Sequence, residues 1–426
     1  MPACPAFLVA APASGQGKTT VVAALARLHA RLGRRVRVFK CGPDFLDPQI
    51  HAIASGAPCQ NVDLWMCGED DIAWRLAEAA RHADLVLVEG VMGLYDGNPS
   101  AAELARRFGL PILAVIDGGS MANSFGAIAF GLKNYQPGTP LNAVLANRVG
   151  SAYHAELLEK SLPPDIAWYG HLPRDAEAAM PERHLGLLPA AEIEGLSQRI
   201  DRMAELLATT AASQLPSPVE FADVPPPDIP AWLAGKTIAI ARDAAFCFLY
   251  PANIDCLERL GATLTYFSPL ADSTLPPSDA VWLPGGYPEL HGLALAANRA
   301  LWDALAAHVE AGKPMLAECG GMMALFESMR CTEGEEFPLA GLLPGRVVMQ
   351  KKLAGLGMQQ VELPEGALRG HAFHYSRTET PLSPVCSTCR PDGRPGEAVY
   401  RRKRLTASYM HLYFPSNPPA VARLFA

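Results

Sequence analysis

The sequence has no uncharged apolar run near the roughly 18 residues that a membrane-spanning helix requires. It has no excess of basic charge. Lys and Arg number 36 against 43 Asp and Glu, a formal net charge of −7, which argues against a nucleic-acid binder held by bulk electrostatics. No basic region precedes its apolar start, Met1 to Ala13, which leads directly into a glycine loop, so no signal peptide is expected. Its 10 cysteines form no disulfide-like framework, and reduced thiols in a cytoplasm are the simpler account. No internal repeat is visible. What is present is ordinary globular composition: 426 residues, 50% hydrophobic and 19% charged. At about 150 residues per domain, two or three domains are expected. Composition points to a soluble cytoplasmic α/β protein.

In the first half, short apolar runs alternate with helical stretches. Phe7 to Ala11, Arg35 to Lys40, Leu85 to Val88, Ile112 to Ile116 and Val144 to Ala146 read as buried strands. Thr20 to Leu32 and Glu69 to Arg81 have helical spacing. That alternation implies βαβ units and a parallel sheet covered on both faces. Ala211 to Trp232 holds six prolines between Pro216 and Pro230, and reads as a semi-rigid linker or surface strap. A second strand series follows: Ile238 to Ala241, Thr263 to Phe267, Ala280 to Leu283 and Met315 to Glu318. Pro381 to Pro395 reads as an exposed loop, and Met322 to Phe326 as helix core.

Ser14-Gly15-Gln16-Gly17-Lys18-Thr19-Thr20 follows a strand and opens a helix. Glycines there let backbone N–H groups turn onto phosphate oxygens, Lys18 adds a charge at the β/γ-phosphates, and the Thr19 hydroxyl can ligate Mg²⁺. One departure is plain: the usual first glycine of such loops is Pro12 here. A bare glycine-rich strand–helix turn is the bland alternative. Glu89, ending Leu85 to Glu89, is expected at the C-terminal edge of the sheet, where open α/β sheets bind ligands; a surface acid is its alternative. Lys40 to Pro48 places Lys40, Asp44 and Asp47 after the second strand, where they could hold Mg²⁺ and an acidic substrate.

Pro314 to Met323 reads strand, cysteine, helix. A nucleophile on such a turn is exposed at the sheet edge, and the helix N-terminus favours its thiolate. Leu283 to Glu289 offers flexible N–H groups, so Gly286 and Gly320 are candidates for an oxyanion hole. His411 is the candidate base, with His371 and His374 as competitors on a strand lining the site. A buried core cysteine is the alternative for Cys319. Cys386 and Cys389 form a CxxC without a second pair at zinc spacing, and read as a loop.

In order along the chain, SGQGKTT, Lys40 to Pro48, VEGVMGLYDG, LANRVGS, HLPRDA, RHLGL, LPGGYPE, ECGGMM and SYMHLYFPSNP resemble the cobyrinic acid a,c-diamide synthases. These are the glutamine-dependent amidotransferases of corrin-ring biosynthesis, and their close relatives act on the metal-free hydrogenobyrinic ring. The resemblance covers essentially the whole chain. It implies an α/β protein of two domains: a P-loop NTPase parallel sheet like dethiobiotin synthetase over residues 1–215, and a flavodoxin-like class I glutamine amidotransferase domain over 236–426, joined by a proline-rich linker at 216–235. Carried over by position, Gly15, Gln16, Gly17, Lys18, Thr19, Thr20 and Asn147 bind ATP, while Thr19, Asp47 and Glu89 hold Mg²⁺. Lys40, Asp44, Tyr95 and Asp96 lie near the acid substrate. Cys319 is the nucleophile and His411 its base. Class I amidotransferases usually carry an acid two residues after the histidine, and here that position is Tyr413. Arg148, Arg174 and Arg183 are basic residues available to ring carboxylates, with solvated arginines as the alternative.

The implied reaction is ATP- and glutamine-dependent amidation of the a and c acetates through acyl phosphates, with a channel for ammonia. The expected cofactor is Mg²⁺, with ATP as substrate and no organic prosthetic group. The expected partners are a corrin ring acid, L-glutamine and ATP, with no nucleic acid, no membrane, and a homodimer left open. Rival readings are amidation of other corrin side chains or of nickel sirohydrochlorin, and a non-catalytic deviant P-loop ATPase. The last usually carries an extra lysine early in the loop, which Ala11 to Gly15 lacks.

Overall fold

The computed structural model describes residues 1–178, 182–183, 186–187 and 189–426. The chain forms two compact units, Met1–Pro227 and Asp228–Ala426.

In the first unit, seven parallel strands are β1 (Ala3–Ala10), β2 (Val36–Cys41), β3 (Gln60–Val62), β4 (Leu85–Glu89), β5 (Ile112–Asp117), β6 (Leu141–Val149) and β7 (Ala167–Pro173), in the order β3-β2-β4-β1-β5-β6-β7. Helices cover both faces, so the strands carry continuous apolar runs. Leu8, Val9, Leu87, Val88, Leu113 and Val115 are each 1% exposed or less. The chain leaves β1 toward β2 on one side, and leaves β4 toward β5 on the other. The strand order therefore reverses around β1, and the crevice at its C-terminal end is where such sheets take ligands. Helix α1 (Lys18–Arg31) begins there and buries Val21, Val22, Leu25 and Leu28 in the core. Helix α2 (Asp47–Ser55) follows β2.

β3 and β7 lie outside the strands expected from sequence. Three residues are too few to show a period, and β7 is interrupted by Gly170. Within the expected linker, Pro218–Glu220 pairs antiparallel with Ala3–Pro5 at the start of β1. The proline-rich stretch is therefore partly an added strand of the first unit, not a free strap.

The second unit is built on a ten-stranded mixed sheet. Thr263–Phe267, Thr237–Ala241, Ala280–Leu283, Met315–Glu318 and Leu405–Ser408 run parallel in that spatial order. Pro395–Arg402, Cys386–Cys389, Gly355–Leu363, Gly366–His374 and His411–Leu412 continue it antiparallel. A separate four-stranded sheet includes Phe326–Arg330 and Ser376–Glu379. Two expectations change. The expected loop from Pro381 to Pro395 contains the strand Cys386–Cys389, because Thr388 turns inward and donates to Gln359 Oε1. The expected helix core from Met322 to Phe326 is a single turn, Gly320–Met323, with Phe326 already in a strand.

Replacing Leu8 by Ala removes a fully buried side chain from the central strand. We expect a loss of about 2–5 kcal/mol, read as a lower urea midpoint for the first unit.

Candidate functional site

The phosphate loop turns between β1 and α1. Gly15 and Gly17 take φ of +77° and +92°, the left-handed region that suits glycine. A Cβ on Gly17 would also collide with the Asn147 amide. No side chain caps α1, so the loop's N–H groups and the helix N-terminus remain available to an anion. Lys18 bridges the loop, donating from Nζ to Met92 O at 2.6 Å and Ala13 O at 3.3 Å. Burial lowers its pKa, with Glu89 opposing.

Glu89 ends β4 and is 1% exposed. Its Oε1 accepts from Thr19 Oγ1 at 2.9 Å and from Lys40 Nζ at 2.9 Å, and its Oε2 meets His51 Nε2. Lys40 also reaches Asp47 Oδ2 at 2.5 Å. Burial opposes the Glu89 charge, but Lys40 and His51 outweigh it and hold the carboxyl well below the usual range. Burial and the nearby Asp44 instead push Asp47 up to about 7, with Lys40 opposing. Lys40 is held above its ordinary value because Glu89 and Asp47 outweigh its burial. His51 was not among the residues expected from sequence. Its signal was available: it lies four residues after Asp47 on α2, hence on the same helix face.

A cleft of about 820 Å³ opens here, lined by Gly15, Lys18, Thr19, Thr20, Lys40, Asp44, Asp47, Glu89, Asn147, Arg148 and Arg174 among others. The side chains of three residues carried over from the resemblance do not line the cleft, although Asp96 is close enough to act on the Lys18 charge. Gln16 accepts through its side chain from Asp117 N at 2.8 Å and does not line the cleft. Tyr95 donates to Leu132 O and Thr139 Oγ1 and packs edge-on against Tyr135, a structural role. Asp96 accepts from Gly93 N at 2.8 Å, closing its own turn. Asn147 donates to Gln16 O at 2.9 Å, so its amide holds the loop. Asp44 accepts from Leu46 N and Asp47 N at 2.7 and 3.1 Å, shaping the entry to α2. Arg148 pairs with Asp117 Oδ2 at 2.7 Å. Arg183 lies in a short strand, Glu182–Arg183, paired antiparallel with Gly186–Leu187, and the expectation for its side chain falls outside what is described.

Among the described residues no cluster of three or more His, Cys, Asp or Glu side chains could hold a metal by itself. The donor set nevertheless fits a hard cation that brings phosphate oxygens with it. Asp47 Oδ1 is buried without a hydrogen-bond partner, and it lines the same cleft as Thr19 and Glu89.

In the second unit, Cys319 ends the strand Met315–Glu318 with φ of +44° and ψ of −109°. A non-glycine residue held there stores about 1–3 kcal/mol. Its N–H donates to Ser408 O at 2.7 Å, and the next four residues form a helical turn. Glycines press the site together. A Cβ on Gly285 would collide with the His411 ring, and one on Gly320 would lie 2.9 Å from Gly286 N. His411 is buried and stacks on His371 at 5.1 Å and 20°; His371 Nδ1 lies 2.9 Å from Tyr250 OH. His374 instead stacks on Tyr409 at 3.7 Å, and its Nδ1 reaches Ser376 O at 2.8 Å. Tyr413, at the position of the missing acid, is buried edge-on to Tyr250.

Burial, then Glu289, pushes the Cys319 thiol up, with the Gly320 N–H opposing. Burial, then His371 and His374, pushes His411 well below its usual value. Burial takes His371 down to about 3. Both directions favour the uncharged forms of Cys319 and His411, and the Cys319 Sγ lies 4.0 Å from Phe373 O. A lowered folded-state pKa means that the unfolded chain binds more protons between about 3 and 6.5. Stability is fully present above that window and is lost as pH falls through it. We expect the second unit's melting temperature to drop from pH 7 toward pH 5, and His371→Gln to flatten that dependence, read by calorimetry.

Residues 7–188 match the CobQ/CobB/MinD/ParA nucleotide binding domain, and residues 237–419 the CobB/CobQ-like glutamine amidotransferase domain. The chain is 57% identical to the hydrogenobyrinate a,c-diamide synthase of Pseudomonas aeruginosa, over 99% of this chain and 98% of that one. It is 57% identical to the enzyme of the same name from Stutzerimonas stutzeri, over 99% and 98%. It is 49% identical to the cobyrinate a,c-diamide synthase of Herminiimonas arsenicoxydans, over 99% and 96%. A nucleotide-binding parallel sheet and a glutamine amidotransferase unit thus occur in one chain, and the protein belongs to the hydrogenobyrinate and cobyrinate a,c-diamide synthase family of glutamine-dependent ligases.

Proposed function

We propose that the protein amidates the a and c acetate carboxylates of hydrogenobyrinate or cobyrinate, using glutamine as nitrogen donor and ATP as driving substrate. The observation that carries this reading is 57% identity across 99% of the chain, together with an intact phosphate loop and an intact Cys319 turn. The metal-free ring is the first substrate to try, because the two relatives at 57% carry the hydrogenobyrinate name. A cytoplasmic location goes with this reading, since ATP and glutamine are supplied there.

In the first unit, Lys18 and the N–H groups of the loop hold the β- and γ-phosphates. A ring carboxylate attacks the γ-phosphorus, ADP leaves, and an acyl phosphate forms. Thr19, Asp47 and Glu89 would hold Mg²⁺, which when bound supplies charge neutralisation at the phosphates. Lys40 balances two of the three acidic side chains around that site. Arg148 and Arg174 line the cleft and offer cations to the other ring carboxylates.

In the second unit, Cys319 Sγ attacks the side-chain amide carbon of glutamine as His411 takes the thiol proton. N–H groups of Gly286 and Gly320 face the developing oxyanion. His411 returns the proton to the leaving nitrogen, and ammonia departs. Water, with His411 as base, then releases glutamate from the thioester. The ammonia attacks the acyl phosphate, phosphate leaves, and the amide remains.

The test is incubation with Mg-ATP, glutamine and each ring acid in turn, with mass spectrometry counting amidations. A doubly amidated ring is expected. Cys319→Ala should abolish glutamine-driven amidation but keep ammonia-driven amidation, whereas Lys18→Ala should abolish both. ATP hydrolysis without amidation of either ring would discard the corrin reading.

A further inference from the structure

The cysteine–histidine pair lacks the acid that usually orients the base, because Tyr413 stands two residues after His411. Another buried carboxylate lies beside the pair. Glu318 is 2% exposed and directly precedes Cys319. Its Oε1 accepts from Leu412 N at 2.8 Å, and its Oε2 accepts from Trp282 Nε1 at 2.9 Å. Leu412 directly follows His411. One side chain therefore ties the residue before the nucleophile to the residue after the base.

The rest of that segment is held in a similar way. Asn253 Nδ2 donates to Leu412 O at 2.8 Å, and Asn253 Oδ1 accepts from Phe414 N at 2.8 Å. His411 and Leu412 pair with His371 and Gly370 on the neighbouring strand. That pairing sets the segment's lateral position. The Glu318 bridge sets its distance from the turn that carries Cys319.

We propose that Glu318 is a positioning residue of the glutamine reaction, holding His411 in register with Cys319 through the Leu412 backbone amide and filling the orienting role that Tyr413 cannot. Both of its hydrogen-bond partners are N–H donors, so both oxygens serve as acceptors. Burial raises this carboxyl to about 8, with the two donors opposing. The indole bond satisfies the second oxygen, and the bond to the Leu412 amide is the one that holds the base's segment. A glutamine at this site could accept from only one donor and would present an N–H₂ group to the other.

This inference rests on the Cys319–His411 reading, and its test needs no ring substrate. Glutaminase kinetics and the rate of Cys319 alkylation by iodoacetamide are measured for the full chain, Glu318→Gln, Glu318→Asp and Trp282→Phe. A misplacement of about 1 Å can cost about 10²-fold in rate. We expect Glu318→Gln to lower kcat for glutamine by about that factor, with KM for glutamine nearly unchanged and Cys319 alkylation slowed. Glu318→Asp keeps a buried carboxyl but shortens the reach, and should lower kcat by about tenfold if a misplacement smaller than 1 Å scales accordingly. Trp282→Phe leaves the Leu412 bond in place and should stay near wild-type kcat. Wild-type kcat in Glu318→Asp, or a Trp282→Phe loss as large as that of Glu318→Asp, would overturn the proposal, as would a KM rise matching the fall in kcat. Failure of both ring acids to be amidated, with the glutaminase pattern intact, would count against the corrin reading alone.

Discussion

One buried carboxylate, Glu89, holds the nucleotide-binding unit's site together. It accepts from Thr19 on α1 and Lys40 on β2, and meets His51 on α2, from its own place at the end of β4. A charge 1% exposed persists only when such partners surround it. Removing one partner from a buried charge network typically costs about 3–5 kcal/mol. The same network thus fixes where α1 begins relative to β2 and β4, and so where the phosphate loop opens. Lys40 is as much a part of this framework as of any substrate contact, since its ammonium is already shared between Asp47 and Glu89.

The amidotransferase unit solves a different problem. Cys319 and His411 are both buried, and burial favours the uncharged form of each. Glycines pack the surrounding turns closely. Gly285 lets the His411 ring lie against the backbone, and Gly320 faces Gly286 N where any Cβ would intrude. Cys319 sits at a strained φ directly after the strand and is buried, not exposed at the sheet edge as the turn pattern suggested. His411 stacks on His371, and Glu318 accepts from the N–H of Leu412, the next residue.

Much of this could be read from the residues alone. The parallel strands were legible because buried strands carry unbroken apolar runs, and the loop and the cysteine turn because their glycines sit at fixed spacing after such runs. Short or irregular pieces were not legible. β3 has three residues, and Pro218–Glu220 hides among prolines. Tyr95 and Asp96 fall next to the motif that suggested them, yet one packs against Tyr135 and the other closes a turn. Neither side chain lines the cleft, although Asp96 is close enough to act on the Lys18 charge, because a side chain's direction is set by the turn it sits on.

The sequence by itself determined the two α/β units and singled out the phosphate loop, Cys319 and His411 as candidates. These depend on local patterns of a few residues: apolar period, glycine spacing, a strand leading into a helix. Only the tertiary structure decided which charges neutralise one another and which carboxylate stands in for the absent acid. Glu89 meets Lys40 and His51 across 49 and 38 residues, and Glu318 meets Leu412 across 94. Such pairings depend on strand order and burial, which bring distant residues within hydrogen-bond reach and which no local pattern encodes.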